Sequence, residues 1–238
     1  MPAPVPEQIY PDVAAFGSLA AALRAAAERD GLDLDGVTTA RTPGWINVGA
    51  RVARADRIAS VVMASEVRAF SSELWSKGVC LSGGTTGDLE MTARLLAFWC
   101  GGATLAEVRE RYPFMNVGEL ALAHERGTAV EVKWRLLLES APDPVRPAVE
   151  AAAGQPLLRG LFPFLSHNTL RFSRCTGYPY SADVPHIEAT SGNRFRVVAP
   201  GGTLVVEGVN ARDAAAAIAS SLPPGFPPAV AGTAPDLA

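Results

Sequence analysis

Ala69-Phe-Ser-Ser-Glu-Leu-Trp-Ser-Lys-Gly-Val-Cys-Leu-Ser-Gly-Gly-Thr-Thr-Gly-Asp88 reads as a β-hairpin, a glycine-rich connection and the start of a helix, and that order sets the fold class. From Ala69 to Trp75 the residues alternate as in a strand, where successive side chains point to opposite faces. Ser76-Lys-Gly78 is a hairpin turn, so strands over 67–75 and 79–82 pair. Ser82 to Asp88 is then a loop, and Leu89 to Cys100 is a helix closed by Gly101-Gly102.

Toward the N-terminus, Ser18 caps a helix running to about Arg29 and Gly31 stops it, behind a proline-rich stretch, 1–12, read as irregular. Strand-like material runs from Val37 to Leu81, broken at Thr42-Pro-Gly44, with alternation again in Ile46-Asn-Val48. Beyond the hairpin the chain turns helical. Thr104-x-x-Glu107 and Thr128-x-x-Glu131 match the capping box, and Asp143-Pro144 pairs an N-cap with a proline at the first helical position. Helices are expected over 105–111, 117–126, 129–140 and 144–153, with a short turn around 157–161. Strands return at 168–175 and 194–198, Pro200-Gly-Gly202 turns the chain, and 203–207 pairs back. A last helix, 211–221, precedes a tail with five prolines, 223–238, expected to be extended.

The class is therefore α+β, with two β-hairpin–helix units flanking a central helical segment. Arg68 to Asp88 and Arg194 to Asp213 share the order hairpin, glycine, aspartate N-cap, helix. That is either a weak internal repeat or the common α+β arrangement arising twice. The chain is read as one domain, 1–238, with irregular termini 1–12 and 223–238. A subdivision into 13–102, 103–165 and 166–222 stays open. Trp75, Trp99 and Trp134 sit in apolar contexts and read as core, whereas Trp45, after Pro43-Gly44, reads as partly exposed.

Composition narrows the function classes. With 238 residues, 48% hydrophobic and 19% charged, the chain is an ordinary globular protein, and a net charge of -3 gives no overall attraction to nucleic acid or an anionic membrane. No apolar run reaches the length of a membrane span, and the N-terminus lacks the basic and apolar regions of a signal peptide. The three cysteines, Cys80, Cys100 and Cys175, form no CxxC pair and suit a reducing cytoplasm. Residues 159–212 hold Arg159, Arg171, Arg174, Arg194, Arg196 and Arg212 against Asp183, Glu188 and Glu207. That surplus suits an anionic ligand or an acidic partner, or equally an arginine-bearing sheet paired to acidic helices.

Most motifs with chemistry fail on their surroundings. The glycine-rich loop at 82–88 lacks Gly-Lys-Ser/Thr and G-x-G-x-x-G, and Asp88 would occupy the helix amides that a phosphate needs. His124, His167 and His186 have neither H-x-x-x-H nor H-x-H spacing, so neither a metal nor any other cofactor is expected. The stretch Phe164 to Cys175 is more informative: on a strand, His167, Thr169, Arg171, Ser173 and Cys175 share one face while Leu170 and Phe172 take the other. A His167–Cys175 dyad fails because eight strand residues separate the two by about 26 Å. Ser166, His167, Thr169, Arg171 and Arg174 remain as the candidate cluster, with His167 as general acid or base and the others as ligand contacts. Alternatively, Ser166-His167-Asn168 caps a turn and Arg171 pairs with an acidic helix.

Leu161-Phe-Pro-x-x-Ser-His-x-Thr-Leu-Arg-Phe-Ser173, Gly84-x-Thr-x-Asp-Leu89 with Trp99-x-Gly101, and the Pro-Ala-Val-x-Gly-Thr end at 228–233 resemble the DUF6193 family, whose members are described as natural product biosynthesis proteins. The resemblance runs over nearly the whole chain and implies a cytoplasmic bacterial protein of specialised metabolism. It carries over no catalytic residue. Two functions follow as expectations. One is an accessory protein that binds a peptide or small-molecule intermediate, with a biosynthetic protein as a further partner. The other is a cofactor-independent cyclase, isomerase or hydrolase acting through His167. An immunity-type interaction domain is a third.

Overall fold

A computed structural model describes residues 7–40 and 49–237. The expected break at Thr42-Pro-Gly44, Trp45 and the alternation over Ile46 to Val48 lie outside the described residues. The chain divides into two compact units, Met1–Glu125 and Arg126–Ala238, and each has its own apolar core. Each is an antiparallel sheet packed against helices, so the α+β class holds.

In the first unit, α1 (Pro11–Ala14) and α2 (Leu19–Arg29) precede a six-stranded sheet in chain order. Its strands are β1 (Thr38–Thr39), β2 (Gly49–Arg54), β3 (Arg57–Met63), β4 (Phe70–Ser76), β5 (Val79–Thr86) and β6 (Met115–Asn116). Between β5 and β6 lie α3 (Leu89–Cys100) and α4 (Leu105–Arg111), and α5 (Glu119–Arg126) follows β6. Ser18 caps α2, accepting from the Ala21 amide at 3.3 Å, and Asp88 caps α3, accepting from Met91 at 2.8 Å. The hairpin turn falls where expected, with Lys77 and Gly78 at φ 49 and 75 joining Ser76 to Val79.

Three expectations are corrected in this unit. Pro11 opens a helical turn inside the stretch read as irregular, as suits a ring that fixes φ at a first helical position. The supposed loop at 82–88 is strand as far as Thr86, because Gly84, without a side chain, lets β6 come close enough to pair with it. Trp75 is half-buried and its indole N–H reaches Glu73 at 3.1 Å, since Phe70, Ser72 and Leu74 take the inward positions of β4. Trp99 and Trp134, by contrast, are core as read, each donating to a backbone carbonyl, of Ile58 and Leu161 respectively.

The second unit begins with α6 (Ala129–Ser140), α7 (Arg146–Ala153) and α8 (Pro156–Arg159). Five strands follow: β7 (Phe162–Ser166), β8 (Thr169–Ser173), β9 (His186–Ala189), β10 (Phe195–Val198) and β11 (Leu204–Val209), then α9 (Ala211–Ser221). The sheet runs β11-β10-β9-β8-β7, antiparallel throughout. Leu170, Phe172, Ile187, Phe195 and Val197 meet Trp134, Val149, Ala215 and Ile218 from α6, α7 and α9 in one core. Pro163 sits in β7, an edge strand, where its missing N–H costs no ladder bond.

Several local readings change further along the chain. Thr104 and Glu107 form a full capping box in the first unit, but Thr128 makes no side-chain cap. Asp143 does not cap a helix either: 143–145 form a turn and α7 starts at Arg146, with Pro147 in its first turn. The cap of α9 is Asn210, which accepts from the Asp213 amide at 2.9 Å, not Asp213 itself. The echo between 68–88 and 194–213 therefore extends to hairpin followed by helix and no further. Strands β7 and β9 were not expected.

Candidate functional site

The face of the second sheet opposite its helices forms the floor of a cleft of about 920 Å³. Alternation explains its polar lining: in β8, Leu170 and Phe172 point into the core, so Thr169, Arg171 and Ser173 point the other way. Thr169 stands opposite Glu188 on β9, and Glu188 stands opposite Arg196 on β10, which sets three polar side chains in one row. The neighbouring row holds Phe164 paired with Arg171, and His186 with Val198 and Leu204.

Over this floor rises a wall made by the connection from β8 to β9. Tyr180 stacks on Phe164 with ring centroids 4.4 Å apart, and Tyr178, which is 72% exposed, meets Tyr180 edge-on at 6.0 Å. The wall has a buried polar anchor. Ser173 Oγ donates to the Cys175 carbonyl at 2.8 Å and accepts from the amides of Cys175 and Ser181 at 3.0 and 3.1 Å. From outside, the C-terminal tail runs alongside: Thr176 donates to Val230, Val230 to Arg174, Gly177 to Gly232 and Ala234 to Pro179. The tail is extended beside the wall and ends in a 3-10 turn at Ala234–Leu237. The turn Ala199 to Gly202 closes the opposite side.

Charge in the cleft is mostly internally matched. Glu188 accepts from His186 Nε2 at 3.0 Å on one oxygen and from Arg196 Nε at 2.6 Å on the other. Burial alone would push the Glu188 carboxyl up, but the hydrogen bonds from Arg196 and His186 outweigh it and hold the group below its ordinary range. Glu188 is thus a carboxylate at neutral pH and can only accept, so His186 Nε2 carries the proton of the bond between them. Arg171 is half-buried, lines the cleft and has no ion-pair or hydrogen-bond partner among the described residues.

The candidate residues from the sequence fall in different places. Arg171 and Ser166 line the cleft, and Thr169 lies in the row of Glu188 and Arg196. Arg174 is turned to Asp183 in a 2.5 Å ion pair, so it faces a carboxylate of its own loop. His167 is not on the strand: it occupies the tip of the β7–β8 hairpin, exposed, with φ 56, and lies outside the cleft lining. The hairpin pairs Ser166 with Thr169, which leaves only His167 and Asn168 for the turn. Arginines 174 and 196 pair with carboxylates of the sheet region, not with the acidic helices. His186, Glu188 and the tyrosine wall were missed as site residues. The one sequence signal for them was His-x-Glu at 186–188, the spacing that puts two side chains on one strand face.

Among the described residues no group of three or more His, Cys, Asp or Glu could hold a metal ion, and no helix is long and apolar enough to cross a membrane. Residues 128–233 match the model of a family of unknown function, DUF6193. The matched stretch falls within the second unit and contains 161–173 and 228–233, whereas Gly84 to Gly101 lies outside it. No curated protein and no solved structure matches the chain.

Proposed function

We propose that the DUF6193-matched unit binds a small-molecule or peptide intermediate of bacterial natural-product biosynthesis, holding an anionic group on Arg171 and an apolar or aromatic part against Phe164, Tyr178 and Tyr180. The observation that carries this reading is Arg171: a guanidinium without a partner among the described residues, at the floor of a cleft beside an aromatic wall, offers a fork for a carboxylate. The biosynthetic and cytoplasmic setting draws only on the resemblance of 161–173 and 228–233 to that family's members.

A simple pair of probes tests it. 3-Phenylpropionate should bind, as followed by saturation-transfer NMR, and its neutral amide should bind about tenfold more weakly. Arg171→Gln should remove the preference for the acid, and added salt should weaken the acid alone. Equal binding of acid and amide to the wild-type protein would sink the reading.

A second reading, a cofactor-independent tailoring enzyme, is favoured by one feature. His186 is oriented by a carboxylate that Arg196 in turn fixes, and its ring lines the same cleft. On this reading the acid–base group is His186, and Glu188 positions it.

A further inference from the structure

Five side chains that carry or can carry charge line the cleft: Arg171, His186, Glu188, Arg196 and Glu207. Three of them satisfy one another, since Glu188 bonds both His186 and Arg196. The two left over are of opposite sign. Arg171 projects from β8 and Glu207 from β11, and neither has an ion-pair or hydrogen-bond partner among the described residues. We infer that the ligand is a zwitterionic peptide of three to four residues, its C-terminal carboxylate on Arg171 and its N-terminal ammonium at Glu207.

The inference rests on the binding reading above and sharpens it. Strands β8 and β11 are separated by β9 and β10, so three strand spacings, about 14 Å, separate the two backbones across the sheet, and the register sets Glu207 one row along from Arg171, beside Arg196. An extended peptide of four residues covers about 13–14 Å. It would cross beside the Glu188–Arg196 pair, in which Arg196 Nε is committed to the Glu188 carboxylate. The volume of about 920 Å³ accommodates a chain of that size. The aromatic wall stands beside Arg171 and not beside Glu207: Phe164 is the direct cross-strand partner of Arg171, and Tyr180 stacks on Phe164. The residue preferred at the peptide's C-terminus is therefore aromatic or large and apolar. A single small anion would engage only one of the two free charges.

The test uses the full chain and the peptide Ala-Ala-Ala-Phe in four forms: free, N-acetylated, C-amidated and doubly blocked, each titrated by calorimetry, with 3-phenylpropionate as reference. Amidation should weaken binding about tenfold, through loss of the charge-assisted fork, and acetylation about three- to fivefold, as suits an exposed carboxylate. Arg171→Gln should bind free and amidated peptide alike, and Glu207→Gln should bind free and acetylated peptide alike. The blocked peptides read the two charges on the wild-type protein, so the conclusion survives even if a variant fails to fold. Acetylation without effect, amidation still costing affinity, overturns the inference and leaves the binding reading standing. Binding of 3-phenylpropionate without binding of the free peptide has the same consequence. Binding indifferent to both blocks, or no binding of peptide and phenylpropionate, overturns both.

Discussion

Val230 lies parallel to Cys175, with its amide donating to the Arg174 carbonyl and its own carbonyl accepting from Thr176, both at 3.0 Å. Cys175 is fully buried. A proline-rich tail thus behaves as a short extra strand along the loop that carries the tyrosines, because Ala229 to Gly232 form a proline-free stretch whose Val230 supplies the amide that proline lacks.

Removal of residues 228–238 should therefore loosen the tyrosine wall. At about 1 kcal/mol net for each of the four backbone bonds to 174–179, the loss of stability should be about 4 kcal/mol. In a Cys80→Ser background, Cys175 should become reactive to a thiol reagent while Cys100, buried in the other unit, stays slow. Unchanged labelling of Cys175 would show that the tail does not cover it.

Ser173→Ala should be costly for its size. One hydroxyl serves two buried amides and one carbonyl, so its loss leaves three polar groups unsatisfied and should cost about 3 kcal/mol in denaturant unfolding. A change under about 0.5 kcal/mol, the usual range for an indifferent site, would mean that water replaces the hydroxyl.

Glu188 should give the second unit an acid-sensitive contribution. Its folded pKa lies below the ordinary 4.5, so the stability it adds is present above that value and is lost as pH falls through the lower folded one. Glu188→Gln lacks this titration. The melting-temperature gap between wild type and variant should be constant near neutral pH and narrow below 4.5. A gap that widens on acidification would contradict the assigned direction.

Gly84→Ala tests the close pairing of β5 and β6. An added Cβ would press on the Phe114 carbonyl and the Met115 backbone, which cannot swing aside as a side-chain tip does. About 2 kcal/mol of destabilisation is expected, against a small change for alanine at Gly118, where nothing lies within 4 Å.

Particular residues show what the sequence could and could not convey. The hairpin at Lys77-Gly78 and the caps at Ser18, Asp88 and Thr104 are local devices, made by residues within four positions of each other, and they form as read. Thr128 has the same motif but sits at φ -108, ψ 20, not in the extended conformation that presents a cap oxygen, so the pattern misleads there. Strands β7 and β9 escaped notice for different reasons. Pro163 breaks the appearance of a strand, and His186 to Ala189 contains one inward apolar residue, Ile187, too few to show a period. Arg171 was readable because Leu170 and Phe172 fix the phase of β8. Its surroundings were not: Glu188 meets Thr169 and Arg196 only through pairing over many residues, and the tyrosine wall depends on a tail some fifty residues further on.

Gly127, at φ 77 between α5 and α6, marks where one self-sufficient core gives way to the other. Coding sequence exchanged at that joint would carry Arg171, Glu207, the tyrosines and the tail together, as one transferable object. A crossover at Gly201-Gly202, although it falls in an exposed turn that tolerates insertion, would split them, and β11 would arrive without the strands that give Glu207 its counterpart.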